Sequence, residues 1–125
     1  MDLNQVTIPS NDVEKSILFY LMLGHKLIVK SLPNYARFEC SQGDCTFSLH
    51  YTPNIISGEG MWLYFEVANV DEVIQKLIEL KITINAFPED KSWLWREANL
   101  FDPFGNKIII YSAGTNRKNP PWRVK

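Results

Sequence analysis

The sequence predicts an α+β domain made of two tandem β-α-β-β-β modules. Three observations lead there. A strand-like run, a capped helix and three further strand-like runs follow one another twice along the chain. Sliding the chain by 57 places sets Gln5 on Trp62, Ile8 on Phe65, Val13 on Val70 and Leu27 on Ile84, a repeat of pattern rather than of residue identity. The 125 residues, 46% hydrophobic and 22% charged, suffice for one core of ordinary domain size and are too apolar for a disordered chain.

In the first module Leu3–Ile8 alternates as a half-buried strand does. Asn11 and Asp12 are helix-capping residues, and Glu14, three places after Asn11, completes the pattern of a capping box. Val13, Ile17, Phe19, Tyr20 and Leu21 then give an apolar face at helical spacing, and Gly24 is a stop. Strands are expected at Lys26–Lys30, Tyr35–Cys40 and Cys45–Tyr51. The second module opens with a strand at Met61–Val67, and Asn69 with Glu72 repeats the capping box. Val70, Val73, Ile74, Leu77, Ile78 and Leu80 give the second helical stripe, followed by strands at Ile82–Ala86, Trp93–Phe101 and Asn106–Ser112. The expected layout is one domain over 1–125, with modules at about 1–53 and 60–112 and a tail at 113–125. Gly58-Glu59-Gly60 lacks the following helix of a phosphate-cradling loop and reads as a flexible connector.

Composition narrows the function. Thirteen Lys and Arg against fourteen Asp and Glu leave a net charge of −1, which gives no field to hold a phosphate backbone, so no nucleic-acid partner is expected. Apolar runs such as Ile108–Tyr111 are far too short to span a bilayer, so no membrane association is expected. Met1-Asp2-Leu3-Asn4 has neither the basic start nor the apolar run of a signal peptide, which makes the cytoplasm the expected location. Cys40 and Cys45 flank a four-residue hairpin loop, where they can face each other across two strands. In a cytosolic chain they read as two small buried hydrophobes. His25, in a helix-to-strand connection, is expected to be exposed, and Asp102 and Asn106 supply turn chemistry around Pro103 and Gly105.

Strand alternation assigns faces. Val6 and Ile8 should pack on the helix and turn Gln5 and Thr7 away from it. Ala36, Phe38 and Cys40 oppose Tyr35, Arg37 and Glu39. Cys45, Phe47 and Leu49 oppose Thr46, Ser48 and His50. In the second module Leu63, Phe65 and Val67 oppose Trp62, Tyr64 and Glu66. Ala98 and Leu100 oppose Glu97, Asn99 and Phe101, while Ile108 and Ile110 oppose Lys107, Ile109 and Tyr111. Trp93 and Trp95, two apart, fall with Glu97 on one face of one strand. The face turned from the helix thus carries aromatic rings with scattered polar groups, the make-up of a small-molecule pocket.

Two runs then carry a family resemblance. Val6-Thr7-Ile8-Pro9 through Asp12-Val13-Glu14-Lys15-Ser16 to Phe19-Tyr20 and Leu23-Gly24 resembles the opening of the vicinal oxygen chelate superfamily, the fold of glyoxalase I, fosfomycin-resistance proteins, extradiol dioxygenases and bleomycin-resistance proteins. Asp102-Pro103-Phe104-Gly105-Asn106 before an apolar strand resembles its close, and Trp93-Leu94-Trp95-Arg96-Glu97 is similar to the bleomycin-resistance branch. The resemblance spans about Leu3–Ser112. It implies that the sheets of the two modules curl into one open, cup-shaped mixed sheet with the helices outside. It also implies binding clefts between two subunits, hence a homodimer.

Metal-dependent members take four ligands from the first and last strands of each module, positions that here hold Gln5, Ser48, Trp62 and Ile109. Glutamine serves in some glyoxalase I proteins. Neutral serine is a poor ligand, tryptophan offers only an N–H, and isoleucine offers nothing. A Gln5, His50 and Glu66 set needs a one-residue slip that would turn Leu49 and Phe65 into the cup. The expectation is therefore a metal-free, cofactor-free cup with no catalytic set, binding a small organic ligand. Its lining is expected to be Gln5, Thr7, Arg37, Glu39, Ser48, His50, Trp62, Tyr64, Glu66, Trp93, Trp95, Glu97, Ile109 and Tyr111. Glu39, Glu66 and Glu97 read as pocket polarity or as salt-bridge partners of Arg37 and Arg96, and Trp122 as a tail residue docking on the body or on a second subunit. The rival readings are a lyase or dioxygenase-like metalloenzyme with atypical ligands and a module that binds another protein.

Overall fold

A computed structural model describes residues 1–55 and 60–124. Gly58 and Glu59 of the expected connector lie outside them. The described chain forms two compact units, Met1–Gly60 with Asp102–Asn106, and Met61–Phe101 with Lys107–Lys125.

The first unit runs β1 (Gln5–Ser10), α1 (Val13–Met22), β2 (Lys26–Ser31), β3 (Tyr35–Glu39) and β4 (Thr46–Tyr51). Its four-stranded sheet has the order β1-β4-β3-β2, with β1 and β4 parallel and the remaining pairs antiparallel. The second unit repeats the plan with β5 (Trp62–Glu66), α2 (Val70–Glu79), β6 (Ala86–Asp90), β7 (Arg96–Phe101) and β8 (Lys107–Ser112). Its order is β5-β8-β7-β6, again with one parallel pair, β5 with β8. The α+β fold of two tandem β-α-β-β-β modules, each with a mixed sheet and one helix, is as expected. A short 3-10 turn, Gly114–Arg117, follows β8.

Local chemistry sets the helix ends. In α1 the cap is Asp12, whose Oδ1 accepts the Lys15 N–H at 3.1 Å, so the expected Asn11–Glu14 box is displaced by one residue. In α2 the cap is Asn69, as read, its Oδ1 accepting the Glu72 N–H at 3.0 Å. The Glu72 carboxylate meets Lys76 at 3.4 Å instead of closing the box. Both helices stop in a Schellman pattern. Gly24 N–H bonds Leu21 and His25 N–H bonds Tyr20; Lys81 N–H bonds Ile78 and Ile82 N–H bonds Leu77. The residue past each end is left-handed, Gly24 at φ +96° and Lys81 at φ +67°.

The first unit's core is aromatic. Phe38 and Phe47 stack at 5.1 Å, and Tyr20 meets Phe47 edge-on at 5.0 Å. The second unit's core is aliphatic, with Leu63, Val70, Ile74, Leu77, Ala98, Leu100, Ile108 and Ile110 enclosed. The buried stripe of α2 is narrower than expected, since Ile78 and Leu80 are exposed, and on α1 Leu21 is exposed too.

Two strands depart from expectation by more than two residues. The strand expected at Ile82–Ala86 begins at Ala86, because Lys81 and Ile82 are used in ending α2. It continues through Pro88, which an edge strand tolerates where the β6–β7 register shifts between Ala86 and Glu89. The strand expected from Trp93 begins at Arg96, because 91–95 is a turn closed by Lys91 N–H to Trp95 and Leu94 N–H to Lys91, with Leu94 at φ +67°.

Candidate functional site

On each sheet the helix covers one face, and the other carries the expected ligand-binding residues. In the first unit the parallel register sets Gln5 beside Thr46 and Thr7 beside Ser48, while Ser48 lies across from Arg37 and His50 across from Tyr35. Gln5, Thr7, Arg37, Glu39 and His50 are exposed, Tyr35 is half-buried and Ser48 is fully enclosed.

Four of them, Gln5, Ser48, Tyr35 and Arg37, form one hydrogen-bonded row with Thr46. The Gln5 amide donates to Ser48 Oγ at 2.7 Å, while its oxygen accepts from the Thr46 hydroxyl. Ser48 Oγ shares a 2.6 Å hydrogen bond with the Tyr35 hydroxyl, which accepts from Arg37 Nε at 2.9 Å. Burial on its own raises the Tyr35 pKa. The Ser48 and Arg37 hydrogen bonds and the Arg37 charge outweigh it and hold the phenol below its usual range. Arg37 is thus engaged with Tyr35, not with Glu39.

In the second unit Trp62, Tyr64 and Glu66 lie beside Lys107, Ile109 and Tyr111, with Glu97 and Asn99 on the next strand. Trp62 is 47% exposed and carries the Lys107 ammonium 4.0 Å from its ring centre. Ile109 and Tyr111 are buried, joined by Ala113 and by the partly buried Trp95. Burial first, then the Glu66 charge, pushes the Tyr111 hydroxyl pKa up.

The Trp93-Leu94-Trp95 turn corrects the expectation that both indoles share a strand face. Trp95 reaches the sheet by stacking on Tyr111, its Nε1 donating to the Asn116 carbonyl at 3.3 Å; Trp93 reaches it through Nε1, which donates to Glu97 Oε2 at 2.6 Å. The expected salt bridges are also repartnered. Arg96 points to the helix side and binds Asp71 through two nitrogens at 2.8 Å, with Asp90 at 2.9 Å. Those hydrogen bonds raise the Arg96 pKa and lower that of Asp71. Glu66 meets Arg117 at 3.7 Å.

The four positions that the family resemblance assigns to metal ligands do not fit a divalent ion. The Gln5 amide is engaged by Ser48 and Thr46, Ser48 by Gln5 and Tyr35, Trp62 has no lone pair to offer, and Ile109 has no donor. Among the described residues no three His, Cys, Asp or Glu side chains group closely enough to hold a metal.

Outside these faces, three residues depart from expectation. His25 is 7% exposed rather than solvated; its Nδ1 accepts the Ser41 N–H at 3.2 Å, and its ring stands edge-on to Phe47 at 5.1 Å. Cys40 and Cys45 do face each other, with Cys40 N–H bonding the Cys45 carbonyl at 3.0 Å, but Cys45 is exposed instead of buried. Burial, then Cys45, raises the Cys40 thiol pKa. Asp102 exceeds turn chemistry: buried, it accepts the Tyr20 hydroxyl at 2.7 Å, the Phe104 and Asn106 N–H groups at 2.9 Å each and the Asn106 side chain at 2.7 Å. Trp122 of the tail is exposed.

Among the described residues, grooves also open elsewhere. One of about 460 Å³ is lined by Asp12, Lys15, Leu32, Tyr51 and Phe104, and one of about 580 Å³ by Asp90, Leu94, Trp95, Arg96 and Asn116. Of the expected ligand-binding residues, Trp95 alone lines either. No helix among the described residues is long and apolar enough to cross a membrane.

Comparison with known proteins gives a consistent kinship. A structure of a glyoxalase/bleomycin resistance protein/dioxygenase from Nocardioides aligns over 100% of this chain and 90% of its own, at 19% identity and a TM-score of 0.80. A bleomycin-binding protein complexed with bleomycin aligns over 90% and 98%, at 19% identity and a TM-score of 0.74. Lactoylglutathione lyase from Agrobacterium tumefaciens aligns over 89% and 92%, at 18% identity and a TM-score of 0.73. Identities this low establish a shared fold. No curated protein matches the chain. The family model of the Glyoxalase/Bleomycin resistance protein/Dioxygenase superfamily, however, matches residues 2–110, and the chain belongs to that superfamily.

Proposed function

We propose that this protein binds and sequesters a small organic molecule on the helix-free faces of its sheets, without metal catalysis. Trp62 carries the reading. At a position that the family resemblance assigns to a metal ligand, an exposed indole stands with an ammonium already on its ring. The second unit offers stacking surface through Trp62 and Tyr64, which favours planar or cationic ligands over small anions. The first unit offers hydrogen bonds through Thr7 and His50 and charge through Arg37 and Glu39. A structural relative that holds bleomycin supports sequestration.

Titration with a library of aromatic and cationic compounds is expected to quench tryptophan fluorescence. Trp62→Ala should weaken binding about tenfold or more, about 1.4 kcal/mol, with an unchanged thermal melt. A ligand that binds the variant as well as the parent overturns the site. About one tightly held metal per chain, lost together with an activity in Gln5→Ala, replaces the reading with the metalloenzyme.

The same proposal includes a homodimer in the cytoplasm. Besides the resemblance, each sheet ends in two edge strands, β1 and β2 in one and β5 and β6 in the other, and edge strands invite pairing. Light scattering should give twice 14.5 kDa; one chain's mass across a wide concentration range counts against it.

A further inference from the structure

Glu97 is a carboxylate drawn almost wholly out of water with no ion-pair partner among the described residues. It is 9% exposed, and Oε2 accepts the Trp93 indole N–H at 2.6 Å. Among the described residues no Lys or Arg pairs with it. Arg96, its neighbour in sequence, binds Asp71 and Asp90, Lys91 meets Glu89 at 3.5 Å, and Arg117 meets Glu66 at 3.7 Å. Every buried side-chain polar atom described has a partner, so the second Glu97 oxygen is the one that meets solvent.

Aromatic residues share the helix-free face of the sheet with Glu97. Tyr111 lies directly across from Glu97 and stacks on Trp95 at 4.7 Å and 21°. Tyr64 stands edge-on to Trp95 at 5.9 Å and to Tyr111 at 5.5 Å. Burial first, then the Glu97 charge, pushes the Tyr64 hydroxyl pKa up, which puts the carboxylate within electrostatic reach of that ring. A desolvated carboxylate is stabilised by a counter-charge, and ring faces attract the same charge. Both preferences point to one guest.

We propose that Glu97, with Tyr64, Trp95 and Tyr111, seats the cationic group of an organic ligand, a primary ammonium or a guanidinium. This rests on the small-molecule reading above and adds to it the ligand's charge and the residue that answers it.

Benzylammonium and benzyl alcohol share a skeleton and differ in charge, which makes them the probes. In fluorescence titrations the protein should bind benzylammonium at least tenfold more tightly than benzyl alcohol. Glu97→Gln keeps an oxygen for the Trp93 N–H and removes the charge; it should erase that preference. Equal affinity for the two probes in the parent, or a preference that survives Glu97→Gln, overturns the cation seat. If benzyl alcohol still binds, only the charge assignment falls; if neither probe binds, both readings fall. Should the variant fail to fold, the parent's preference between the two probes decides alone.

Discussion

His25 lies against Phe47 with Nδ1 occupied by the Ser41 N–H, and burial pulls its pKa from 6.5 down to about 4. Above pH 6.5 the imidazole is neutral in both states and its contribution to stability is complete. Between about 6.5 and 4 the unfolded chain takes up a proton that the folded chain refuses, so stability falls as pH falls. The full loss is about 3 kcal/mol. Carboxylates titrate in the same region, so the measurement is a difference. Urea midpoints of the parent should drop more steeply from pH 7 to 4 than those of His25→Asn, which keeps an acceptor for Ser41 but does not titrate. Equal slopes would refute the assignment. Nothing in Gly24-His25-Lys26 signals this burial, because the enclosing groups come from Ser41 and Phe47. Gln5 and Ser48 are the opposite case. Alternation alone puts them on the helix-free face, and the parallel β1–β4 register makes them neighbours.

The two helix ends show how element boundaries follow local chemistry. Both use the same pair of terminal hydrogen bonds, but one has glycine in the left-handed position and the other has Lys81 at φ +67°. A side chain there costs about 1 kcal/mol or more, and the freedom glycine gains in the unfolded chain offsets part of that. Lys81→Gly should therefore stabilise the protein by about 0.5–1 kcal/mol, raising Tm by about 2–5 °C in a thermal scan. A lowered Tm would show that Lys81 is held by something other than backbone geometry. Caps and stops are legible because their partners lie within four residues. Strand limits are less so. The 57-residue slide holds through β5 and α2, but Lys26 and Ala86 begin strands 60 apart, and Thr46 and Lys107 begin strands 61 apart. Pro88 hides β6, and an alternating Trp-Leu-Trp hides a turn, so Trp93's bond to Glu97 was unreadable from periodicity.

Across the whole chain, the first unit is discontinuous: Met1–Gly60 is completed by Asp102–Asn106 from the far half of the sequence. The joining chemistry is specific. Tyr20, fully enclosed beside Phe19, Phe38 and Phe47, donates a hydrogen bond from its hydroxyl to Asp102 at 2.7 Å, and burial followed by the Asp102 charge raises its pKa. Asn106 Nδ2 donates to the Pro9 carbonyl at 3.0 Å. A peptide of residues 1–60 retains the β-α-β-β-β pattern and the aromatic core yet loses both partners. A buried hydroxyl left without its acceptor costs about 1–3 kcal/mol, a large part of what a chain of some 60 residues has in hand. The peptide 1–60 should accordingly show no cooperative thermal transition by circular dichroism under conditions where the full chain melts sharply. Tyr20→Phe in the full chain, which leaves Asp102 its three other donors, should melt cooperatively at a lower temperature. A sigmoidal melt of the peptide near that of the full chain would mean that the aromatic core suffices, and that the Asp102–Asn106 segment rests on a unit that folds without it.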